Sequence, residues 1–201
     1  MKRTLRLVLI LGILAPTLLL SGCLFNIFQT ARMIGAGNVA MTIGTGLMDV
    51  VADGDPDWNL TPQARITVGL SDDVEFGMQT GALVPLSTGD FGWLGAKGDF
   101  KFSIVDDPET FSLAMGFGAG YGLEFLNWGF FGEVFFNVNT VLPIFLSYQP
   151  TIPLQGEGFT VWHHIAGGLR LPITETAAIL LVVDYRNPNL FSYGLAFEIG
   201  F

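Results

Sequence analysis

The chain has 201 residues, half of them hydrophobic, with 9 Lys+Arg against 18 Asp+Glu and a formal net charge of −9. That acidity excludes nucleic acid as a partner, since phosphate binding needs the opposite sign, and a single Cys excludes an internal disulfide. After residue 22 no apolar run approaches the length of a helical membrane span, so the apolar residues must be stored in alternation along β-strands.

Residues 1–22 read as an export signal. Lys2, Arg3 and Arg6 give a basic start, and residues 7–20 form an apolar run too short for a span of about 20 residues. The tetrapeptide Leu20-Ser21-Gly22-Cys23 resembles the lipobox of bacterial lipoproteins. That resemblance implies cleavage before Cys23 and a covalent lipid on its sulfur. With the uncharged Leu24 next, it also implies delivery to the outer membrane. Loss of the signal leaves 179 residues, enough for one domain, with a net charge of −12. Residues 23–35 are expected to form a lipid-anchored tether, and residues 36–201 a β-barrel.

About ten strands follow in chain order. The first, near 37–50, turns Val39, Met41, Ile43, Thr45 and Leu47 to one face and Asn38, Ala40, Thr42, Gly44 and Gly46 to the other. The second, near 61–70, sets Ala64, Ile66, Val68 and Leu70 against Arg65, Thr67 and Gly69, and Ser71-Asp72-Asp73 is a turn. The third, near 74–84, sets Val74, Phe76, Met78, Thr80 and Ala82 against Glu75, Gly77, Gln79 and Gly81. In the fourth, near 93–105, Leu94, Ala96, Gly98, Phe100, Phe102 and Ile104 lie opposite Lys97, Asp99, Lys101 and Ser103.

The fifth, near 111–123, alternates most cleanly, with Phe111, Leu113, Met115, Phe117 and Tyr121 against Gly116, Gly118, Gly120 and Gly122. The sixth, near 128–138, turns Phe130, Val134 and Phe136 outward and Glu133 and Asn137 inward. The seventh, near 140–149, is interrupted by Pro143, which fits a strand end or a bulge. The eighth, near 160–171, puts His164, Gly168 and Arg170 inward, and the ninth, near 176–185, ends with Asp184 inward and Tyr185 outward. The tenth, 191–201, reads FSYGLAFEIGF, with large apolar groups on one face and small or polar ones on the other.

This is the pattern of a transmembrane antiparallel up-and-down barrel, with Gly on the crowded inside and Phe toward lipid. Ten strands bring both ends of the chain to one side; eight result if the seventh merges with a neighbour or the first is partly a plug. Trp58, Trp93, Tyr121, Trp128, Trp162 and Tyr185 fall near the outer rim, where amphipathic rings anchor at headgroup level.

The inward set carries Arg65, Lys97, Lys101 and Arg170 against Glu75, Asp99, Glu133, Asp184 and Glu198, with His164 beside them. Charges so nearly balanced suit a lumen-filling network better than a wide selective pore. A hydrolase needs a nucleophile beside a base. Only His163 and His164 are available as histidines, on opposite faces, and the His-x-Ser pair of lipid A deacylases is missing. No catalytic residue and no metal site are expected. The acidic stretch 49–57, DVVADGDPD, lacks the spacing and closing Glu of an EF-hand and reads as a solvated extracellular loop. Weak calcium bridging to lipopolysaccharide phosphates is the sharper alternative for it.

The export signal, the alternating Gly-rich strands and the terminal Phe201 together resemble the small outer-membrane β-barrel proteins of Gram-negative bacteria. Residues 68–77, VGLSDDVEFG, look like their strand-turn-strand hairpins, and the closing strand is similar to the signal read by their insertion machinery. The lipobox departs from the plain signal peptide of most such barrels. The resemblance implies an outer-membrane location, contacts with membrane lipids and lipopolysaccharide, and handling by the barrel-insertion and lipoprotein-processing machineries. The expected role is that of a monomeric, non-enzymatic barrel lipoprotein in envelope structure or surface interaction, without a cofactor beyond the lipid on Cys23. A small solute channel or carrier and a lipid-modifying enzyme are the alternatives.

Overall fold

The computed structural model describes residues 27–52, 55–107, 109–125, 127–139, 143–154, 161–186 and 190–201. The signal peptide and Cys23 lie outside them. Ten strands form one closed antiparallel sheet: β1 (Val39–Ala52), β2 (Asp55–Gly69), β3 (Val74–Pro85), β4 (Gly92–Asp106), β5 (Phe111–Gly122), β6 (Asn127–Val138), β7 (Ile144–Pro153), β8 (Trp162–Pro172), β9 (Ala177–Arg186) and β10 (Leu190–Gly200). Each strand pairs with its sequence neighbours, and β1 closes the ring on β10. The ten-strand reading holds and the eight-strand alternative falls. Closure matters because it gives every strand two partners and leaves no open edge.

Local chemistry sets the connections. Those after β2, β4, β6 and β8 span four or five residues each and lie at one mouth, the short-turn mouth, together with the paired ends Val39 and Phe201, which exchange backbone hydrogen bonds of 3.1 and 2.7 Å. Connections at the opposite mouth reach six and eight residues, at 86–91 and 154–161. After β2, the amides of Leu70 and Ser71 both donate to the Val74 carbonyl, and Asp73 N–H donates to Ser71 Oγ. After β4, the Asp107 carboxylate accepts from the Glu109 amide at 2.9 Å and the Thr110 hydroxyl at 2.6 Å. These bonds hold the Asp107 carboxyl below the usual carboxylate range, the Thr110 hydroxyl contributing most.

Of the acidic stretch 49–57, residues 49–52 and 55–57 are corrected from loop to strand. Their backbone continues the β1–β2 ladder, with Asp49 opposite Trp58, Val50 opposite Asp57 and Ala52 opposite Asp55. Strand β7 begins at Ile144, just after Pro143, and so runs four residues later than the sequence suggested.

The outward face is apolar almost throughout. Ile43, Ile66, Met78, Phe100, Phe102, Met115, Phe117, Phe130, Leu146, Ile165, Leu195 and Phe197 are all exposed. Rings touch across strands: Phe76–Phe100 at 5.0 Å, Phe102–Phe117 at 5.7 Å, and a ladder Trp93–Tyr121–Trp128 over β4, β5 and β6 at 5.6 and 5.0 Å.

Side-chain direction differs from expectation in three places. A register shift between Gly81 and Ala82 makes Leu94 the extra residue of a bulge, so Leu94 turns inward and is 0% exposed. Trp162 shares the inward face with His164 and Ala166, and the Arg186 guanidinium lies 4.7 Å over its ring. Phe is not reserved for the outside either: Phe28, Phe125, Phe131, Phe135 and Phe145 are buried in the interior.

The lumen as candidate functional site

The segment expected as a tether runs, in its described part, inside the barrel. Ile27, Phe28 and Ala31 are buried with Ala114, Phe135, Phe145, Ala166, Leu180, Val182 and Ala196 from the surrounding wall. A plug without regular structure exposes backbone groups that no ladder satisfies, so side chains must supply the partners. They do so from several strands. Ile34 N–H donates to Glu75 on β3. The Lys101 ammonium on β4 donates to the carbonyls of Thr30 and Arg32 at 3.0 and 2.9 Å. Asn137 on β6 accepts from the Ala31 amide at 3.0 Å, and Asp184 on β9 accepts from the Ile27 amide at 3.2 Å. Gln29 turns its carbonyl oxygen to the Arg65 guanidinium.

The ten charged or titratable residues read as inward-facing are joined as five pairs. Arg65 and Asp99 form a bidentate bridge, with both N···O distances 2.7 Å and Arg65 only 3% exposed. Lys101 meets Glu75 at 2.7 Å, His164 Nε2 meets Asp184 at 2.8 Å, and Arg170 meets Glu198 at 2.7 Å. Lys97 stands 3.6 Å from Glu133, donates to Gln149 Oε1 at 2.9 Å, and lies 5.1 Å from the Phe131 ring centroid. Three of these pairs include a group that also binds the plug. The network therefore neutralises itself and clamps the segment that crosses it.

Glycine makes the room. A Cβ at Gly120 would fall 2.1 Å from the ring of Phe125, which the 3-10 turn Leu123–Phe125 folds inward. Phe125 then stacks toward Phe131 at 5.9 Å. At the far end of the β4–β5 pair, Gly95 and Gly122 adopt φ of 144° and 130°, and a Cβ at Gly122 would fall 2.4 Å from Gly95 Cα.

Two cavities open at the short-turn mouth. A cavity of about 200 Å³ is lined by Arg32, Arg170, Glu198 and Phe201, and another of about 160 Å³ by Arg32, Asn137, Asn139 and Arg170. On the outside, Tyr148 OH and His163 Nδ1 are 2.7 Å apart with their rings stacked. Among the described residues no group of three His, Cys, Asp or Glu is placed to hold a metal ion. Phe201 pairs with Val39 through its backbone, while its side chain is exposed.

Sequence reasoning placed Gln79 inward but missed the plug and the buried amides of Gln63 and Gln149, which bond Gln79 and Lys97. Residues 27–33, IFQTARM, carry a signal in hindsight: three large apolar groups, Ile27, Phe28 and Met33, are too many for a solvated tether.

No described protein family and no curated relative matches the chain. Among solved structures it is similar to the N-terminal β-barrel domain of Pseudomonas aeruginosa OprF, at 14% identity and TM-score 0.38, covering 83% of this chain and 99% of that one. It is also similar to the translocator domain of the autotransporter NalP from Neisseria meningitidis, at 12% identity and TM-score 0.44, covering 83% and 88%. The KdgM porin matches at 8% identity and TM-score 0.38, covering 82% and 99%. All three are outer-membrane β-barrels. At these identities the likeness concerns the barrel alone.

Proposed function

We propose that this chain is a non-enzymatic outer-membrane barrel lipoprotein whose lumen is closed by its own N-terminal segment, serving envelope structure or surface interaction. The observation that carries the reading is the plug itself, residues 27–35, with its backbone bound by side chains of β3, β4, β6 and β9. The apolar outer face and the Trp93–Tyr121–Trp128 ladder supply the surface that a bilayer requires. Lipids and lipopolysaccharide are the partners of that surface, the lipid on Cys23 is the only attached group, and the barrel works as a monomer.

Catalysis has no part in this reading. The His164–Asp184 pair is buried in the lumen, and Asp184 also receives the Ile27 amide, so the pair serves the plug. Solute passage is the second reading, favoured by the two cavities beside Arg32, which displacement of the plug would extend into the lumen. Planar-bilayer conductance separates the two. Purified full-length protein should show no steady current, and a Phe28→Ala, Ala31→Glu variant that loosens the plug should flicker open. A steady conductance of the unaltered protein would establish the channel instead.

A further inference from the structure

The plug has a direction. Near Gly35 the chain is at the short-turn mouth, where Ala36 N–H donates to Asp72 and Gly69 packs against the Gly35 carbonyl. Going toward the N-terminus it climbs: Ala31 meets Asn137, one residue from the short-turn end of β6, and Gln29 meets Arg65, four residues into β2. Phe28 then faces Gly44, five residues into β1, and Ile27 bonds Asp184, two residues short of the opposite end of β9. The path is one-way along the barrel axis.

Reach decides where the rest must go. Asp184 lies seven residues along β9 from Ala177, which at about 3.3 Å per residue and a tilt of about 40° is about 18 Å above the short-turn mouth. Cys23 precedes Ile27 by four residues, which span at most about 14 Å fully extended. A return to the short-turn mouth is therefore out of reach. The opposite mouth is two residues of β9 away.

We propose that the chain leaves the lumen through the mouth opposite the short turns, so that the barrel carries its own N-terminus across the membrane to the cell surface. The two longest connections, 86–91 and 154–161, lie at that opposite mouth, and barrels of this kind carry their longer loops on the extracellular side, which puts that mouth outside. On the reading of Cys23 as the lipidated residue, the lipid is then held at the outer leaflet, and the anchor and the barrel enter the membrane from different sides. The topology stands without the lipid; the leaflet assignment rests on it.

The test is cysteine accessibility on whole cells with a membrane-impermeant maleimide, using Asn26→Cys and, as a second position, Leu24→Cys. Thr174→Cys, in the exposed turn between β8 and β9, is the periplasmic control. Labelled sites are mapped by mass spectrometry of the N-terminal peptide, which also reads the acyl mass on Cys23. The expected result is full labelling at residues 24 and 26 on intact cells, with no rise on outer-membrane disruption, while Thr174→Cys labels only after disruption. Labelling at 24 and 26 only after disruption, or in neither state, in protein that still migrates as a folded barrel, overturns the proposal. Surface labelling with no acyl mass on Cys23 upholds the topology and removes the lipid assignment.

Discussion

Arg65 carries three obligations, the bidentate bridge to Asp99, the Thr67 hydroxyl at 3.2 Å and the amide oxygen of Gln29. Asp99→Asn leaves a buried guanidinium without its counter-charge and should cost about 3–5 kcal/mol, read from urea unfolding in detergent micelles; an unchanged midpoint would mean that the bridge is not buried in the folded protein. Gly120 and Phe125 share one volume. Gly120→Val should destabilise by about 1–3 kcal/mol through overpacking, and much of that loss should vanish in the background of Phe125→Ala. A strictly additive double-mutant cycle would refute the contact. Asp107 gives the pH dependence of a turn. Its carboxyl is held low by the Thr110 hydroxyl and the Glu109 amide, so the turn is favoured while the carboxylate is ionised and is lost as pH falls through the depressed value. Thr110→Val should raise the Asp107 midpoint toward the ordinary carboxylate range in an NMR titration.

The strands were legible because a strand offers only two faces, and residues such as Phe111 to Tyr121 fill them with opposite chemistry. The same logic placed all five ion pairs on the inside before their partners were known. It failed where periodicity stops carrying information. The bulge that turns Leu94 inward costs one residue of register and leaves no mark on the alternation beyond Gly95. Residues 27–35 have no period at all, and their burial comes from contacts with strands more than a hundred residues away, such as Asn137 and Asp184. Acidic composition read 49–57 as a loop, whereas backbone pairing to β2 overrides that preference. On β5 the outward face yields its own prediction. Phe117 is 58% exposed at mid-strand, and Phe117→Arg should cost about 2–4 kcal/mol if that face meets hydrocarbon. Refolding into lipid vesicles as efficient as that of the unaltered chain would place the face in water.

At the scale of the whole molecule, closure, an apolar exterior and a filled interior belong together. A closed sheet satisfies its own backbone, its outward side chains need a lipid solvent, and its lumen must then accommodate whatever charge and backbone remain. Here, among the described residues, the lumen holds five ion pairs and a segment of chain that uses three of them. The central claim is that the barrel itself spans the membrane, whatever the lipid does. The measurement that tests it most directly is the electrophoretic shift on boiling, made on membrane fractions of the native chain and of Cys23→Ser. A band that runs faster unboiled, and that stays in the membrane after alkaline extraction in the Cys23→Ser variant, is the predicted result. Release of that variant as soluble protein with no shift on boiling would contradict it, and would make the molecule a tethered soluble barrel.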